Sequence, residues 1–219
     1  MAKNEYILTL DADVYFEADF FINVLKQIDD QDCIVLPVRP FAHQNKVIQH
    51  LDVLEFKSLQ TATFGSLGIG QPFLSNGANL LFKKKTFLEV DGYSGNSQVS
   101  SGDDQFLLNK FRKAKKKITG VLDSSVMVTT LAESSFLEFF RQRIRWSSKS
   151  FAVRNFWTFL NTGLILTINL AVVIWLLLLP FSRFVIDFIG FLMIKLILEF
   201  KSLKQLRMMR LQILTLLLN

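Results

Sequence analysis

The sequence has very little cysteine and histidine, and no internal repeat or low-complexity tract. One cysteine and two histidines occur among 219 residues. The single thiol, Cys33, excludes an internal disulfide and fits a reducing cytoplasm. It lies in an apolar run and is interpreted as core. No second histidine or carboxylate stands at ligand spacing from His43 or His50, so both are interpreted as surface or helix residues rather than metal ligands.

No signal peptide is expected either, because the apolar run near the amino terminus, residues 6–10, is too short for a signal core. The formal charge is +6, and two lysine-rich clusters, 83–85 and 110–117, contribute much of it. Neither cluster is interleaved with aromatic side chains as a single-strand-binding surface would be. The second is interpreted as a solvated helix face, and nucleic acid is not expected as a partner.

Charge is absent from residues 157–181, in a chain whose mean hydropathy is +0.32. A bilayer needs about 20 apolar residues, so this stretch predicts a membrane span. A second span is predicted at 184–200, although it carries Asp187 and Lys195. Basic residues flank both ends of this hairpin, which predicts a multi-pass protein of the cell (inner) membrane with its catalytic domain in the cytoplasm. Residues 156–219 form the predicted membrane region.

Alternating short apolar runs and amphipathic segments in residues 1–133 predict an α/β domain with a largely parallel sheet. Strands are predicted at 6–10, 33–38, 80–82 and 121–130, and helices at 17–28, 46–60 and 103–117. The glycine-rich stretch 64–79 is predicted to be a loop.

Two carboxylates, Asp11 and Asp13, follow the first predicted strand. In an extended chain, positions two apart face the same side, so both can converge on one point. Hard oxygen ligands of this kind suit Mg²⁺ or Mn²⁺, completed by water and substrate phosphates. The alternative is a polar turn at the strand end, since the pattern arises often by chance.

A second acidic pair, Asp103 and Asp104, opens a predicted helix. A carboxylate here could act as general base towards an acceptor hydroxyl. The alternative is that one of the pair caps the helix, which is common and physically sufficient. Local sequence slightly favours the cap.

Residues 134–155 are predicted to form an interfacial amphipathic helix, with Ser135 and Glu138 in a capping box. It carries Gln142, Arg145 and Trp146, which are neighbours on one helix face. Arginine can grip a diphosphate through its planar fork, and tryptophan offers a stacking surface for a sugar ring. The alternative is an ordinary membrane-interface helix, and for Arg141 and Arg143 that alternative, with arginine bound to lipid phosphate, is preferred.

Together these motifs, in this order, resemble glycosyltransferase family 2, the inverting family of GT-A fold that includes synthases of cellulose, chitin and hyaluronan. The resemblance rests on 11–13, on 76–79 followed by 91–93, on 102–104 and on 142–146, and it covers roughly residues 1–155. It implies a GT-A domain followed by an interfacial helix and transmembrane helices. It also implies a nucleotide-sugar donor (UDP- or GDP-linked), a glycan or lipid acceptor, and inverting, metal-assisted transfer in cell-surface polysaccharide or glycolipid synthesis.

By this resemblance each motif has an expected role. Asp11 and Asp13 hold Mn²⁺ or Mg²⁺ and the donor diphosphate, and Asp104 is the catalytic base. Asp103, Gln142, Arg145 and Trp146 contact donor or acceptor. The segment that contains Asn76, Gly77 and Asn79 lines the acceptor side.

The strand and helix that hold the nucleoside in family members are expected upstream of the first acidic motif, which arrives here at Asp11. The GT-A fold is therefore expected to be incomplete. One alternative is a phosphohydrolase of the haloacid dehalogenase type with Asp11 as nucleophile, although that leaves residues 142–146 unexplained. Another is a membrane-anchored fragment without activity.

Overall fold

The computed structural model describes residues 3–95, 102–152, 156–178, 189–195 and 197. The chain divides into two compact units, Met1–Asn155 and Phe156–Asn219. The described elements of the first unit are β1 (Tyr6–Leu10), α1 (Phe20–Lys26), β2 (Cys33–Val35), β3 (Val38–Phe41), α2 (Val47–Gly68), β4 (Asn79–Lys83), α3 (Lys84–Glu89), α4 (Asp103–Lys113), β5 (Ile118–Gly120), β6 (Val128–Leu131) and α5 (Phe136–Ala152). In the second unit, α6 spans Phe156–Leu178.

The main sheet has the strand order β1-β4-β2-β5. β4 is antiparallel to both of its neighbours, whereas β2 and β5 are parallel. This differs from the predicted largely parallel sheet, because only β1, β2 and β5 share a direction. The chain leaving α2 starts β4 at the edge where β1 and β2 end, so β4 must run backwards between them. The mixed α/β architecture is consistent with a GT-A-like domain.

A second, two-stranded sheet pairs β3 with β6 in parallel. The prediction of one strand over 33–38 is corrected here, because Pro37 separates β2 from β3. Leu36 N–H still donates to the Asn79 carbonyl of the main sheet (3.1 Å), whereas the Pro37 carbonyl accepts from Val128 N–H of β6 (3.2 Å). Proline has no N–H to continue the first ladder. The chain therefore changes sheets at this residue.

Hydrophobic clusters cover both faces of the main sheet. Ile34 and Leu81 belong to one cluster, and their strand neighbours Val35 and Leu80 belong to the other. This alternation follows from the two-residue period of a strand. α2 contributes Phe56 to the first cluster and α4 packs on the second. Burial of each leucine or phenylalanine side chain contributes roughly 1.5–3 kcal/mol to the stability of the fold. The two clusters therefore hold the strands of the main sheet in place.

Helix boundaries differ from the predictions where tertiary contacts intervene. α2 extends through the predicted glycine-rich loop to Gly68, and the loop is confined to 69–78. A Cβ at Gly120 of β5 would lie 2.8 Å from Leu67 Cδ1 and 2.9 Å from Phe64 Cδ1. The end of α2 therefore packs directly on a strand that has no side chain there. The predicted strand 121–130 is replaced by a short 3-10 turn (Ser124–Val126) and β6, and α3 was not predicted.

Within the part of the chain that the structure describes, no helix combines the length and the apolarity that crossing a membrane requires. The predicted spans 157–181 and 184–200 fall partly outside the described residues, and residues 198–219 lie wholly outside them.

Candidate active site

The ends of β1 and β2 and the start of β4 lie together at one edge of the main sheet. Leu10 pairs with Asn79, and Val35 pairs with Leu80. Asp11, which follows Leu10, therefore lies at the same edge as the loop that enters β4. Ligands of α/β proteins bind outside the carboxyl ends of the strands, so a site is expected at this edge.

Asp104 is joined to this edge by two hydrogen bonds. Its Oδ2 accepts from Gly77 N–H at 3.1 Å and from the Ser75 hydroxyl at 3.4 Å. A Cβ at position 77 would lie only 3.3 Å from Asp104 Cβ, so a glycine allows this close approach. The structure thus brings together two motifs that are 27 residues apart in sequence. Ser75 was missed by the sequence analysis, since a lone serine in a loop carries no distinctive signal.

The acidic pair lies just inside α4 rather than at its N-cap position. The N-cap of α4 is Gly102, which has a φ of 100°, and no side chain makes a cap hydrogen bond there. Asp103 and Asp104 occupy the first turn instead, where the helix dipole favours negative charge. The Asp104 carboxylate faces the 75–77 loop outside its own helix, and its role as a base stays a prediction.

Asp11 and Asp13 are both exposed, in the turn that follows β1. The extended geometry on which their convergence was predicted is absent, because Ala12 and Asp13 form a turn. This turn is fixed at both ends. Leu10 belongs to the main sheet, and Tyr15 exchanges two 2.7 Å backbone hydrogen bonds with Thr129 of β6.

No group of three or more His, Cys, Asp or Glu side chains that could hold a metal ion occurs among the residues that the structure describes. Mg²⁺ and Mn²⁺ sites of phosphate-transferring enzymes commonly use only one or two carboxylates, with phosphate oxygens and water completing the shell. Asp11 and Asp13 are exposed and so accessible to a bound cation, and their role as metal ligands stays a prediction.

The two predicted asparagines have different surroundings. Asn76 Oδ1 accepts from Ala78 N–H at 3.0 Å, which shapes the loop beside Gly77. Asn79 is fully buried, and its Nδ2 donates to the carbonyls of Pro37 and Val126 at 2.9 Å each. These contacts join the start of β4 to the link between β2 and β3 and to the 3-10 turn before β6. For Asn79 the described role is therefore structural, and its acceptor-side assignment stays a prediction.

A tight turn over 90–94 lies against α4 and was predicted at Asp91 and Gly92. Both residues have positive φ, 57° and 45°. Lys110 Nζ donates to four carbonyls of this turn, those of Val90, Asp91, Gly92 and Ser94, at 2.8–3.4 Å. Burial raises the pKa of Tyr93, and the nearby charges of the acidic pair on α4 raise it further. The turn therefore holds an aromatic side chain close to Asp103 and Asp104.

The start of α5 confirms the predicted capping box. Glu138 N–H donates to the Ser135 hydroxyl oxygen at 3.2 Å, and the Ser135 hydroxyl donates to the Glu138 carboxylate at 2.9 Å. The Ser134 hydroxyl donates to the same carboxylate at 3.0 Å. These bonds satisfy groups at the helix start that would otherwise lack partners. They also fix the residue at which α5, the helix that carries the 142–146 motif, starts.

The prediction that Arg143 binds lipid phosphate is wrong. Instead of facing lipid, its side chain is 15% exposed and is paired with two carboxylates of α2, Asp52 at 2.5 Å and Glu55 at 2.7 Å. Its guanidinium also lies over the rings of Phe139 and Trp146, 4.1 and 4.5 Å from their centroids. Arg143 is therefore an anchor that holds α5 on α2.

Two further motif residues of α5 lie on a small surface pocket of about 240 Å³. Gln142 and Arg145 line it with Arg141, Glu133 and Glu138. Gln142 Nε2 donates to Glu133 Oε1 at 2.7 Å. Burial raises the pKa of Glu133, and the charges of Asp52 and Glu138 add to the shift. Trp146 is half-buried and meets Phe56 edge-to-face at 5.9 Å rather than lying open as a stacking surface.

The family model of glycosyl transferase family group 2 matches residues 6–201 of this chain. The chain belongs to that family. It is a glycosyltransferase, and the family acts on a nucleotide-sugar donor and an acceptor and commonly uses divalent metal ions. No curated protein matches the sequence.

In this glycosyltransferase, one hydrophobic cluster anchors residues from three of the motif regions. It includes Leu10 and Val14, which bracket the first acidic motif, and Ala78, which follows Gly77. It also includes Trp146, the last residue of the α5 motif. The acidic pair joins the same region through the bond between Asp104 and Gly77. The fold therefore gathers segments that are up to 136 residues apart, counted from Leu10 to Trp146.

Proposed function

We propose that this glycosyltransferase moves a sugar from a UDP- or GDP-linked donor to a hydroxyl of a glycan or lipid acceptor, in cell-surface polysaccharide or glycolipid synthesis. The observation that carries the proposal is the hydrogen bond from Gly77 N–H to Asp104, at the sheet edge where Asp11 follows β1. A carboxylate held by two donors beside a strand-end acidic motif suits a base that faces a phosphate-bearing donor.

In the proposed mechanism Asp104 takes the proton of the acceptor hydroxyl, and the hydroxyl oxygen attacks the anomeric carbon. The bond from that carbon to the diphosphate oxygen breaks on the opposite side, so the configuration inverts. The bonds from Gly77 and Ser75 hold the Asp104 carboxylate in one orientation. Asp103, Gln142, Arg145 and Trp146 would contact donor or acceptor, and Arg145 carries a fixed positive charge suited to a diphosphate.

Asp11 and Asp13 would hold the divalent cation. A bound Mg²⁺ or Mn²⁺ supplies charge neutralisation at the diphosphate. Support comes from the exposure of both carboxylates and from the rigid attachment of their turn to β6.

The catalytic role is tested by comparing Asp104→Asn with Asp103→Asn, a matched control one residue away on the same helix turn. We expect kcat to fall by about 10²–10⁴-fold for Asp104→Asn, the usual contribution of a general base. The Asp103→Asn variant should retain kcat and change only KM. Initial rates of nucleoside diphosphate release over a panel of UDP- and GDP-sugars provide the measurement. Full activity of Asp104→Asn would remove the proposed base.

The metal role is tested separately by binding. Nucleotide-sugar affinity of the purified chain should require Mn²⁺ or Mg²⁺ and should be lost in Asp13→Asn. Binding that is equally strong in EDTA would contradict the assignment of Asp11 and Asp13.

Attachment to the cell membrane is a further proposal. The exposed apolar side chains on one face of α5 support an interfacial helix, since Phe136, Phe140 and Ile144 are 59%, 59% and 69% exposed. The adjacent face, with Arg143 and Trp146, packs on α2. Fractionation of cells followed by carbonate extraction tests this location, and recovery of the chain in the soluble fraction would contradict it.

A further inference from the structure

Asp52 is a buried carboxylate in the second turn of α2 that the proposed mechanism does not use. It is 3% exposed and lies one turn from Ile48 and from Phe56, which are both buried. An acidic residue on the core-facing stripe of a helix is costly unless its charge is paired.

The segment between β6 and α5 is held by α2 at a single peptide group. Asp52 Oδ2 accepts from Glu133 N–H at 2.8 Å, and Gln49 Nε2 donates to the Ala132 carbonyl at 3.3 Å. Gln49 is fully buried as well. Both polar atoms of the Ala132–Glu133 peptide are thus bonded to side chains one turn apart on the same helix. These two bonds fix the position of the Glu133 backbone relative to α2.

From Asp52 the hydrogen bonds continue round a closed ring. Asp52 Oδ1 accepts from Arg143 at 2.5 Å, and Arg143 also donates to Gln142 Oε1. Gln142 Nε2 donates to Glu133 Oε1 at 2.7 Å, and Glu133 N–H returns to Asp52. The amide of Gln142 is therefore held at both ends, with its oxygen on a cation and its nitrogen on a carboxylate. A hydrogen-bond ring of this kind fixes the orientation of each member more strongly than separate pairs would.

We propose that Asp52 is a positioning residue for Gln142: through Arg143 and Glu133 it sets the orientation of the Gln142 amide in the surface pocket that Gln142 and Arg145 line. This inference rests on the proposed function of the α5 motif. Asp52 touches no substrate itself and acts through the ring. Because the ring also holds Arg143 over Trp146, Trp146 reports on the state of the ring.

The test uses the purified full chain and compares Asp52→Asn, Arg143→Lys and the double variant. Asp52→Asn keeps the shape and removes the charge. Arg143→Lys keeps a charge beside Asp52 but removes the fork that bridges several acceptors, so it carries the test if Asp52→Asn does not fold. Glu55→Gln is the matched control, because it removes another carboxylate paired with Arg143 that lies outside the ring and is 44% exposed.

We expect each ring variant to raise the KM of one substrate, donor or acceptor, by about tenfold and to change kcat by less than about threefold. A change of about tenfold lies within the range of interaction energies between residues of one hydrogen-bond network. The double variant should be no worse than the more affected single variant, since both substitutions break the same ring. Glu55→Gln should stay within about twofold of the native KM, as expected for a partly exposed ion pair. Multiplying effects in the double variant, or an unchanged KM, would overturn the proposal.

A second readout does not depend on activity. The chain has three tryptophans, so Trp157→Phe and Trp175→Phe leave Trp146 as the only one. In that background, acrylamide quenching of Trp146 should rise in both ring variants and not in Glu55→Gln. If quenching rises as expected while no chain transfers sugar, the ring stands and the proposed function fails. Unchanged quenching in both ring variants overturns the ring whatever the activity.

Discussion

Gly77 is the position at which a single methyl group tests the candidate site most directly. Its N–H donates to Asp104 Oδ2 at 3.1 Å, and an added Cβ would lie 3.3 Å from Asp104 Cβ and 3.5 Å from its Cγ. The separation of 3.3 Å from Cβ is shorter than most carbon–carbon contacts, whereas the 3.5 Å from Cγ is an ordinary van der Waals contact. In Gly77→Ala, the carboxylate or the loop must therefore retreat by a few tenths of an ångström.

The cost follows from the bond that this movement weakens. A hydrogen bond to a charged group contributes about 1.5–3 kcal/mol, and we expect about half of it to be lost when the bond lengthens. If Asp104 is the base, a loss of about 1 kcal/mol in its positioning lowers kcat by about five- to tenfold. The donor KM should remain near the native value, because the substitution leaves the turn at Asp11 and Asp13 untouched.

Gly65→Ala supplies the matched control. A Cβ at Gly65 meets no atom within 4 Å, and the residue lies inside α2. Alanine is the better helix former by about 0.5–1 kcal/mol, so this variant should be more stable than the native chain and equally active. Initial rates and urea unfolding on both variants decide the matter. A Gly77→Ala chain with native kcat would refute the placement of Asp104 as the base.

Three further predictions concern the fold and its titrating groups. Gly120→Ala should lower the free energy of unfolding by about 1–3 kcal/mol in urea, since its Cβ would lie 2.8 Å from Leu67 Cδ1, and native stability would contradict the packing of α2 on β5. Lys117 and Lys83 lower the pKa of Asp30 from 3.8 to about 2. The stability that this pairing gives is present above pH 3.8 and is lost as the pH falls towards 2. Between these pH values the Tm of Asp30→Asn should therefore fall less than the Tm of the native chain, and equal falls would count against the pairing. Burial raises the pKa of the Cys33 thiol, so Ellman's reagent at pH 8 should label it only after unfolding, and rapid labelling of the folded chain would show that β2 is not in the core.

Local sequence determined the elements whose signal is contained in a few neighbouring residues. β1 spans the predicted residues 6–10, and the Ser135–Glu138 box starts α5 as predicted. The order of the acidic and Gln142–Trp146 motifs pointed to the family that matches residues 6–201. These features depend on strand composition, capping chemistry and motif order, all of which can be read along the chain.

Tertiary contacts decided what depends on residues far apart in sequence. α2 continues through Gly65 to Gly68 because its end packs on Gly120, against the usual preference of glycine for loops. Arg143 looked like a lipid-facing arginine because nothing nearby in sequence reveals that Asp52, 91 residues earlier, lies opposite it. The contact between the Asp104 carboxylate and the N–H of Gly77, 27 residues earlier, was likewise not readable from local sequence. Charge pairs and close backbone contacts between distant segments depend on how the elements pack, and residue spacing along a chain carries no record of that packing.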